Sequence, residues 1–285
     1  MKNLLPLFLA LAPPLGSVAQ AAAPTPGAPD TVTVRSGRLA LRGLLWRPPG
    51  AGRHPAVMFS HGSYSTSSPM PRDEPAALGP LFAQHGYVFL FLFRQGIGLS
   101  IGQGTADGDL MARALAADGV RGRNNVQLAL LEGEELQEAL LGLEFLRALP
   151  EVDERRVALA GHSFGGALTL LLASRDTTVR AVVVFGAAAA SWRQSPKLRA
   201  RLLSAVDRSA APVLFIHATN DYSIAPGEAL ASEMRRLGKP SRLIVYPAVG
   251  RDARDGHNVV YRSVPTWERD VFAFLTMHVA GSSRD

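Results

Sequence analysis

Val157-Ala158-Leu159-Ala160-Gly161-His162-Ser163-Phe164-Gly165-Gly166 passes from an apolar quartet into a G-x-S-x-G pattern and then into helix-forming sequence. An apolar run of this kind suits a strand covered on both faces. The spacing that follows has a steric reason. A serine that must stand clear of a sheet edge sits on a tight strand-to-helix turn. Its neighbours two positions away on either side must be nearly free of side chain, so that strand and helix can close together. Gly161 and Gly165 satisfy that demand, and Gly166 eases it further. A helix beginning here aims its unpaired N–H groups and positive dipole end at charge developing beside the serine. Ser163 is therefore the candidate nucleophile, and the amide of Phe164 is one candidate oxyanion donor. The bare pattern also fits a structural Gly-Ser turn; the strand before it and the helix after it argue for the nucleophile. The side chain of His162 is expected to point away from the serine, in a structural or pocket-lining role rather than as the base.

The same alternation extends along the chain. Thr31–Arg35 and Leu39–Trp46, joined at Ser36-Gly37, read as an antiparallel hairpin. Apolar runs at Ala56–Ser60, Tyr87–Phe93, Val157–Ala160, Ala181–Phe185, Val213–His217 and Arg242–Tyr246 then alternate with helical patterns. Those patterns fall at Leu78–His85, Val126–Leu149, Gly165–Ser174, Gly227–Leu237 and Pro265–His278. This predicts an α/β fold, a mostly parallel eight-stranded sheet with helices on both faces, in one domain over residues 31–285. Two stretches interrupt the rhythm. Residues 96–125 are glycine-rich and long for a connection, and residues 187–211 carry Trp192 and a helical patch. Both are candidate cap insertions, with ordinary surface insertion as the alternative, and Trp192 is a candidate pocket residue.

A serine nucleophile needs a later acid and then a base, in the order Ser…Asp…His. The strand Val213–His217 runs into a turn that presents Asp221, the candidate acid. An Asn-Asp turn could equally be structural, but the competing position after Ala181–Phe185 holds Gly186 and alanines. The segment after Arg242–Tyr246 carries Gly256-His257-Asn258, which makes His257 the candidate base on a loop able to reach the serine. His54 and His85 precede strands, His217 ends one and His278 is close to the C-terminus, so none of them has the required position. Asp252 and Asp255 are alternative partners for His257. The second oxyanion amide is expected from Ser63, in His61-Gly62-Ser63-Tyr64. Tyr64 is expected to offer its amide or its phenol, or to line the acyl pocket.

Composition narrows the class. The chain has 285 residues, 47% of them hydrophobic and 19% charged, an ordinary globular balance. It contains no cysteine, which excludes disulfides, a thiolate nucleophile and Cys-based zinc sites. The net charge is +6, yet the arginines are scattered rather than gathered into a nucleic-acid-binding run. Lys2, the apolar run Leu4–Leu15 and the small residues Ala19-Gln20-Ala21-Ala22-Ala23 have the order of a secretory signal peptide over residues 1–23. Cleavage is expected after Ala21 or Ala23, leaving a proline-rich leader over 24–30 and an exported protein, periplasmic or extracellular. Pro6, Pro13 and Pro14 break the run, which is shorter than the roughly 20 apolar residues of a spanning helix. No membrane span is expected after cleavage, and the sequence leaves the oligomeric state open.

These motifs together resemble the dienelactone-hydrolase-like branch of the α/β-hydrolases, bordering on the prolyl-oligopeptidase-type serine hydrolases. The resemblance covers residues 31–279. Its carriers are Phe59-Ser60-His61-Gly62-Ser63, Arg94-Gln95-Gly96-Ile97-Gly98-Leu99-Ser100, the elbow at Gly161–Gly166, Asn220-Asp221-Tyr222-Ser223-Ile224-Ala225-Pro226 and Gly256-His257. It implies hydrolysis of small-molecule esters or lactones, or occasionally amides, with no metal or organic cofactor. Dienelactone hydrolase proper uses a cysteine nucleophile where this chain has Ser163, so lactone specificity does not carry over. A peptidase or amidase with the same triad, and a silent hydrolase fold kept for binding, are the competing readings.

Overall fold

A computed structural model describes residues 27–279; the expected signal peptide and the first part of the leader lie outside them. Eight strands form one sheet: β1 Asp30–Ser36, β2 Leu39–Trp46, β3 His54–Ser60, β4 Val88–Leu92, β5 Val152–His162, β6 Ala181–Phe185, β7 Val213–Ala218 and β8 Ser241–Tyr246. Their spatial order is β1-β2-β4-β3-β5-β6-β7-β8. The hairpin β1–β2 and the β2–β4 pair are antiparallel, and every later pairing is parallel. The chain belongs to the α/β class with the architecture of the α/β-hydrolase fold.

Strand pleating divides the core into two layers. Along β3, Ala56 and Met58 face one layer while Val57 and Phe59 face the other. The first layer is closed by α3 Glu134–Arg147, α4 Phe164–Ala173, α5 Pro196–Arg208 and α6 Ala225–Arg236. The second is aromatic. Phe59, Phe82, Phe89, Phe91 and Trp267 pack there beneath α1 Glu74–Gln84 and α9 Val264–His278. The sheet is thus buried on both faces, which explains the unbroken apolar runs of its central strands.

The predicted helix over Val126–Leu149 is two helices. Helix α2 occupies Asp107–Glu132 with a non-helical residue at Gly119, and Gly133 separates it from α3. The expected excursion over 96–125 is irregular only as far as Ala106. The predicted helix covers only the end of α2, residues 126–132; over 107–125 polar and small residues leave few apolar positions to mark a face. The helical patch in 187–211 is α5, which packs its buried Leu198, Leu202, Ala205 and Val206 beside α4 and α6. It lies in the helical layer of the sheet. Two short helices, α7 Ala253–His257 and α8 Val259–Arg262, were not anticipated. Among the described residues no helix is long and apolar enough to cross a membrane.

Candidate active site

The parallel strands deliver their C-terminal ends to one edge of the sheet, and the candidate residues gather there. Ser163 sits between β5 and α4 with φ 56° and ψ −116°, a strained conformation for a residue with a side chain. The turn is held by Ser163 N–H donating to Phe185 O at 2.8 Å. The close approach demanded by this turn is visible at Gly165: a Cβ there would lie 2.1 Å from Ser60 O and 2.2 Å from His61 O.

Ser163 Oγ lies 2.8 Å from His257 Nε2, and His257 Nδ1 lies 2.7 Å from Asp221 Oδ1. The structure therefore brings Ser163, His257 and Asp221 into one hydrogen-bonded chain. With Asp221 ionised, His257 donates from Nδ1 and offers the Nε2 lone pair to the serine hydroxyl. His257 closes the short helix α7 rather than sitting in an open loop. Asn220 fixes that segment: its Nδ2 donates to Val249 O and Asp252 O, and its Oδ1 accepts from Val249 N–H. Gly186, at the end of β6, lets the strand pass beside the pair, since a Cβ there would stand 3.0 Å from His257 Nδ1.

Asp221 is buried, which by itself would raise its pKa, yet the hydrogen bonds from His217 and His257 hold it down to about 2. Asp252 and Asp255 are occupied elsewhere. Asp252 caps α7 by accepting from Asp255 N–H, while Asp255 accepts from Arg251 N–H and pairs with Arg262. The acid facing His257 is Asp221.

The two expected oxyanion donors lie on elements next to the serine, and Ser63 lines the same cavity as Ser163. Phe164 opens α4, and Ser63 follows the end of β3. Tyr64 offers neither of its polar groups to an oxyanion: its N–H donates to Asp107 Oδ1 at 3.1 Å and its phenol donates to Glu74 Oε2. Of the roles expected for Tyr64, only that of a pocket wall fits. His162 is buried and its Nε2 donates to His257 O at 2.9 Å. Burial first, and the neighbouring His257 second, lower the pKa of His162 to about 3, so it is neutral and braces the backbone of His257.

A cavity of about 610 Å³ opens over Ser163 and His257. Its walls include Ser63, Tyr64, Glu74, Tyr222 and Tyr261, with Arg254 and Arg262 also present. His162 lines it as expected, but Trp192 does not. Trp192 packs in the core and borders a separate groove beside α6. No residue of 96–125 or of 187–211 lines the catalytic cavity. Among the described residues, no group of three or more His, Cys, Asp or Glu is arranged to hold a metal ion.

Sequence reading missed two groups. His217 ends a strand, which does not suggest a role beside the acid, yet its Nδ1 lies 2.7 Å from Asp221 Oδ2. A spacing of four residues across a strand-end turn was the available signal. Arg94 is completely buried behind the Ser63 loop, donating to His61 O at 2.7 Å, Gly62 O at 2.8 Å and Asp107 at 2.8 Å. Glu135 Oε2 adds a charge contact at 2.6 Å from Arg94 Nε, and the guanidinium stands 5.0 Å over the Phe164 ring.

A family model described as the dienelactone hydrolase family matches residues 41–268. A curated relative, the polyketide transferase grgF of a Penicillium species, is 29% identical over 213 residues, 71% of this chain and 63% of the relative. Among solved structures, dienelactone hydrolase from Anabaena variabilis is 21% identical with a TM-score of 0.60, covering 90% of this chain and 99% of that one. The Pyrococcus horikoshii acylaminoacyl peptidase is 18% identical with a TM-score of 0.65, covering 92% of this chain and 43% of the peptidase. The chain thus spans less than two thirds of the curated relative and less than half of the peptidase. At these identities the solved structures establish the fold alone.

Proposed function

Because this chain belongs to the dienelactone hydrolase family, we propose that it hydrolyses carboxylic esters through an acyl-enzyme formed on Ser163. The observation that carries this reading is the hydrogen-bonded chain from Ser163 Oγ through His257 to Asp221. Serine is a weak nucleophile at neutral pH, so an adjacent base must take its proton as the carbon–oxygen bond forms. His257 Nε2 is within reach to do so, then returns the proton to the leaving alcohol and next activates water for deacylation. Asp221 keeps the imidazole in the productive tautomer and stabilises the imidazolium. The amides of Phe164 and Ser63 receive the charge on the tetrahedral oxygen.

A cavity of about 610 Å³ with several polar side chains in its wall favours compact acyl groups over long aliphatic chains. The segment Lys2–Ala23 supports export of the mature chain.

Labelling with a fluorophosphonate tests the mechanism, and a panel of p-nitrophenyl esters of increasing acyl length tests the chemistry. One adduct, mapped to Ser163, with parallel loss of ester hydrolysis is the expected result. Ser163→Ala should fold and show neither. An adduct on another serine, or good turnover by Ser163→Ala, overturns the mechanism. Faster cleavage of matched peptide p-nitroanilides than of esters would replace the esterase reading with the amidase one.

A further inference from the structure

Asp221 spends its two carboxylate oxygens on two histidines. Oδ1 accepts from His257 Nδ1 at 2.7 Å and from Tyr222 N–H at 2.7 Å, while Oδ2 accepts from His217 Nδ1 at 2.7 Å. His217 is only 2% exposed and is clamped by α6, where a Cβ on Gly227 would lie 2.7 Å from its Nε2. The serine hydrolase chemistry proposed above requires one imidazole on the acid; a second, buried one has no part in it. We infer that His217 is a positioning residue for that chemistry: its imidazole locks the Asp221 carboxylate and limits how strongly Asp221 draws on His257.

Two physical effects follow from the geometry. A carboxylate anchored at Oδ2 cannot rotate away from His257, so Oδ1 stays aligned with Nδ1. The second donor also takes part of the negative charge. Without it, the charge concentrates on Oδ1 and the imidazolium of His257 is better stabilised. Other polar groups around His257 are few. His162 on β5 stands 4.8 Å away ring to ring and is neutral, and the Tyr222 ring lies 4.9 Å away. Arg254, on α7 itself, lines the same cavity, and the end of β6 offers only Gly186.

The test uses three full-length proteins: wild type, His217→Phe and His217→Asn. Phenylalanine keeps the bulk and removes the donor, whereas the asparagine amide places a donor near the position of Nδ1. Two rates are followed against pH, fluorophosphonate labelling of Ser163 and turnover of a p-nitrophenyl ester. In His217→Phe the acid limb of both profiles should move up by roughly half to one pH unit. Plateau kcat should fall about tenfold with KM little changed, the lower end of what outer-shell partners of metal ligands contribute. His217→Asn should restore both. A limb that stays in place or moves down in folded His217→Phe overturns the inference, as does a His217→Asn variant as impaired as His217→Phe. If His217→Phe does not fold, the His217→Asn comparison decides alone: wild-type profiles support the donor role and wild-type folding with a displaced limb refutes it. Wild-type protein that labels but cleaves no ester fails the proposed function instead, and the labelling profiles still report on His217.

Discussion

Arg94 Nη2 donates to Gly62 O at 2.8 Å from a position with almost no solvent contact. This bond and its companion to His61 O fix two consecutive peptide planes, and those planes set the direction in which Ser63 N–H points. The guanidinium pairs with Asp107 and lies against Glu135, both fully buried, so a loop of the candidate oxyanion site rests on a polar cluster inside the protein. Burial dominates the electrostatics of this cluster: it pushes the Glu135 carboxyl well above the usual range even with Arg94 beside it.

Arg94→Met should therefore be among the most damaging single changes. It leaves Asp107 and Glu135 buried without their cation, a loss of about 3–5 kcal/mol, and frees the carbonyls of His61 and Gly62. Urea unfolding would show a lower midpoint, and any folded enzyme should lose kcat more than it gains KM. The double variant with Glu135→Gln should recover part of the stability, because one buried acid that relied on the guanidinium is gone. An Arg94→Met protein as stable as wild type would show that the cluster contributes nothing.

Adjacent glycines of the elbow should behave differently. At Gly165 a Cβ meets two backbone carbonyl oxygens that cannot move aside, so Gly165→Ala is expected to lose about 3 kcal/mol or more and all activity. At Gly166 the nearest atoms are Ala187 Cβ and Val184 Cγ1 at 3.1 Å, which can give by a few tenths of an ångström. Gly166→Ala should stay within about 1 kcal/mol of wild type. Equal effects at the two positions, read by thermal unfolding, would contradict this steric account.

This contrast marks what the sequence could convey. The G-x-S-x-G pattern carries its own steric logic, so Ser163, its strand and its helix were readable locally. Asp221 and His257 were readable because strand order constrains where an acid and a base can stand. The Tyr64 amide and Arg94 were not, since their partners lie 43 and 33 residues away and only the closed sheet brings them together; His217 stands four residues from Asp221, a local signal that its place at the end of a strand obscures. The first part of helix α2, residues 107–125, escaped for a different reason: its polar and small residues leave few apolar positions to mark a buried face.

Burial raises the pKa of Glu74 to about 7 despite the hydrogen bond from Tyr64, and it does the same to Glu138. Both folded-state values lie above that of an unfolded glutamate, about 4.3. The folded protein therefore keeps protons that the unfolded chain releases, and stability falls as pH rises from about 4.3 through 7. Glu74→Gln keeps an acceptor for the Tyr64 phenol and removes one such titration. Its urea midpoint should decline less between pH 5 and pH 8 than that of wild type. An unchanged slope would mean that Glu74 is ionised in the folded state at both pH values.

The proposal of export makes a separate prediction. Mass spectrometry of periplasmic or secreted material should find an N-terminus at Ala22 or Pro24, matching cleavage after Ala21 or Ala23. Exported, soluble protein that retains Met1 would refute it.

Asp221→Asn tests the acid through a conflict that the structure makes explicit. In wild type both carboxylate oxygens accept, one from His257 and one from His217. Asparagine has a single acceptor oxygen and an NH₂ group that donates. If the oxygen faces His257, His217 must turn its Nδ1 lone pair to the amide; if the NH₂ faces His257, the base is held in the wrong tautomer and Nε2 carries the proton. Either arrangement also removes the negative charge that stabilises the imidazolium. In a Ser-His-Asp enzyme the corresponding change lowers kcat by about 10⁴, and a loss on the order of 10³–10⁴ is expected here, with KM nearly constant and a wild-type circular dichroism spectrum. Asp255→Asn is the control, because Asp255 serves Arg251 and Arg262 rather than His257; it should keep at least a third of wild-type turnover. Near-normal turnover by Asp221→Asn together with loss of activity in folded Asp255→Asn would move the acid from the turn after β7 to α7 and undo the mechanism built on Asp221.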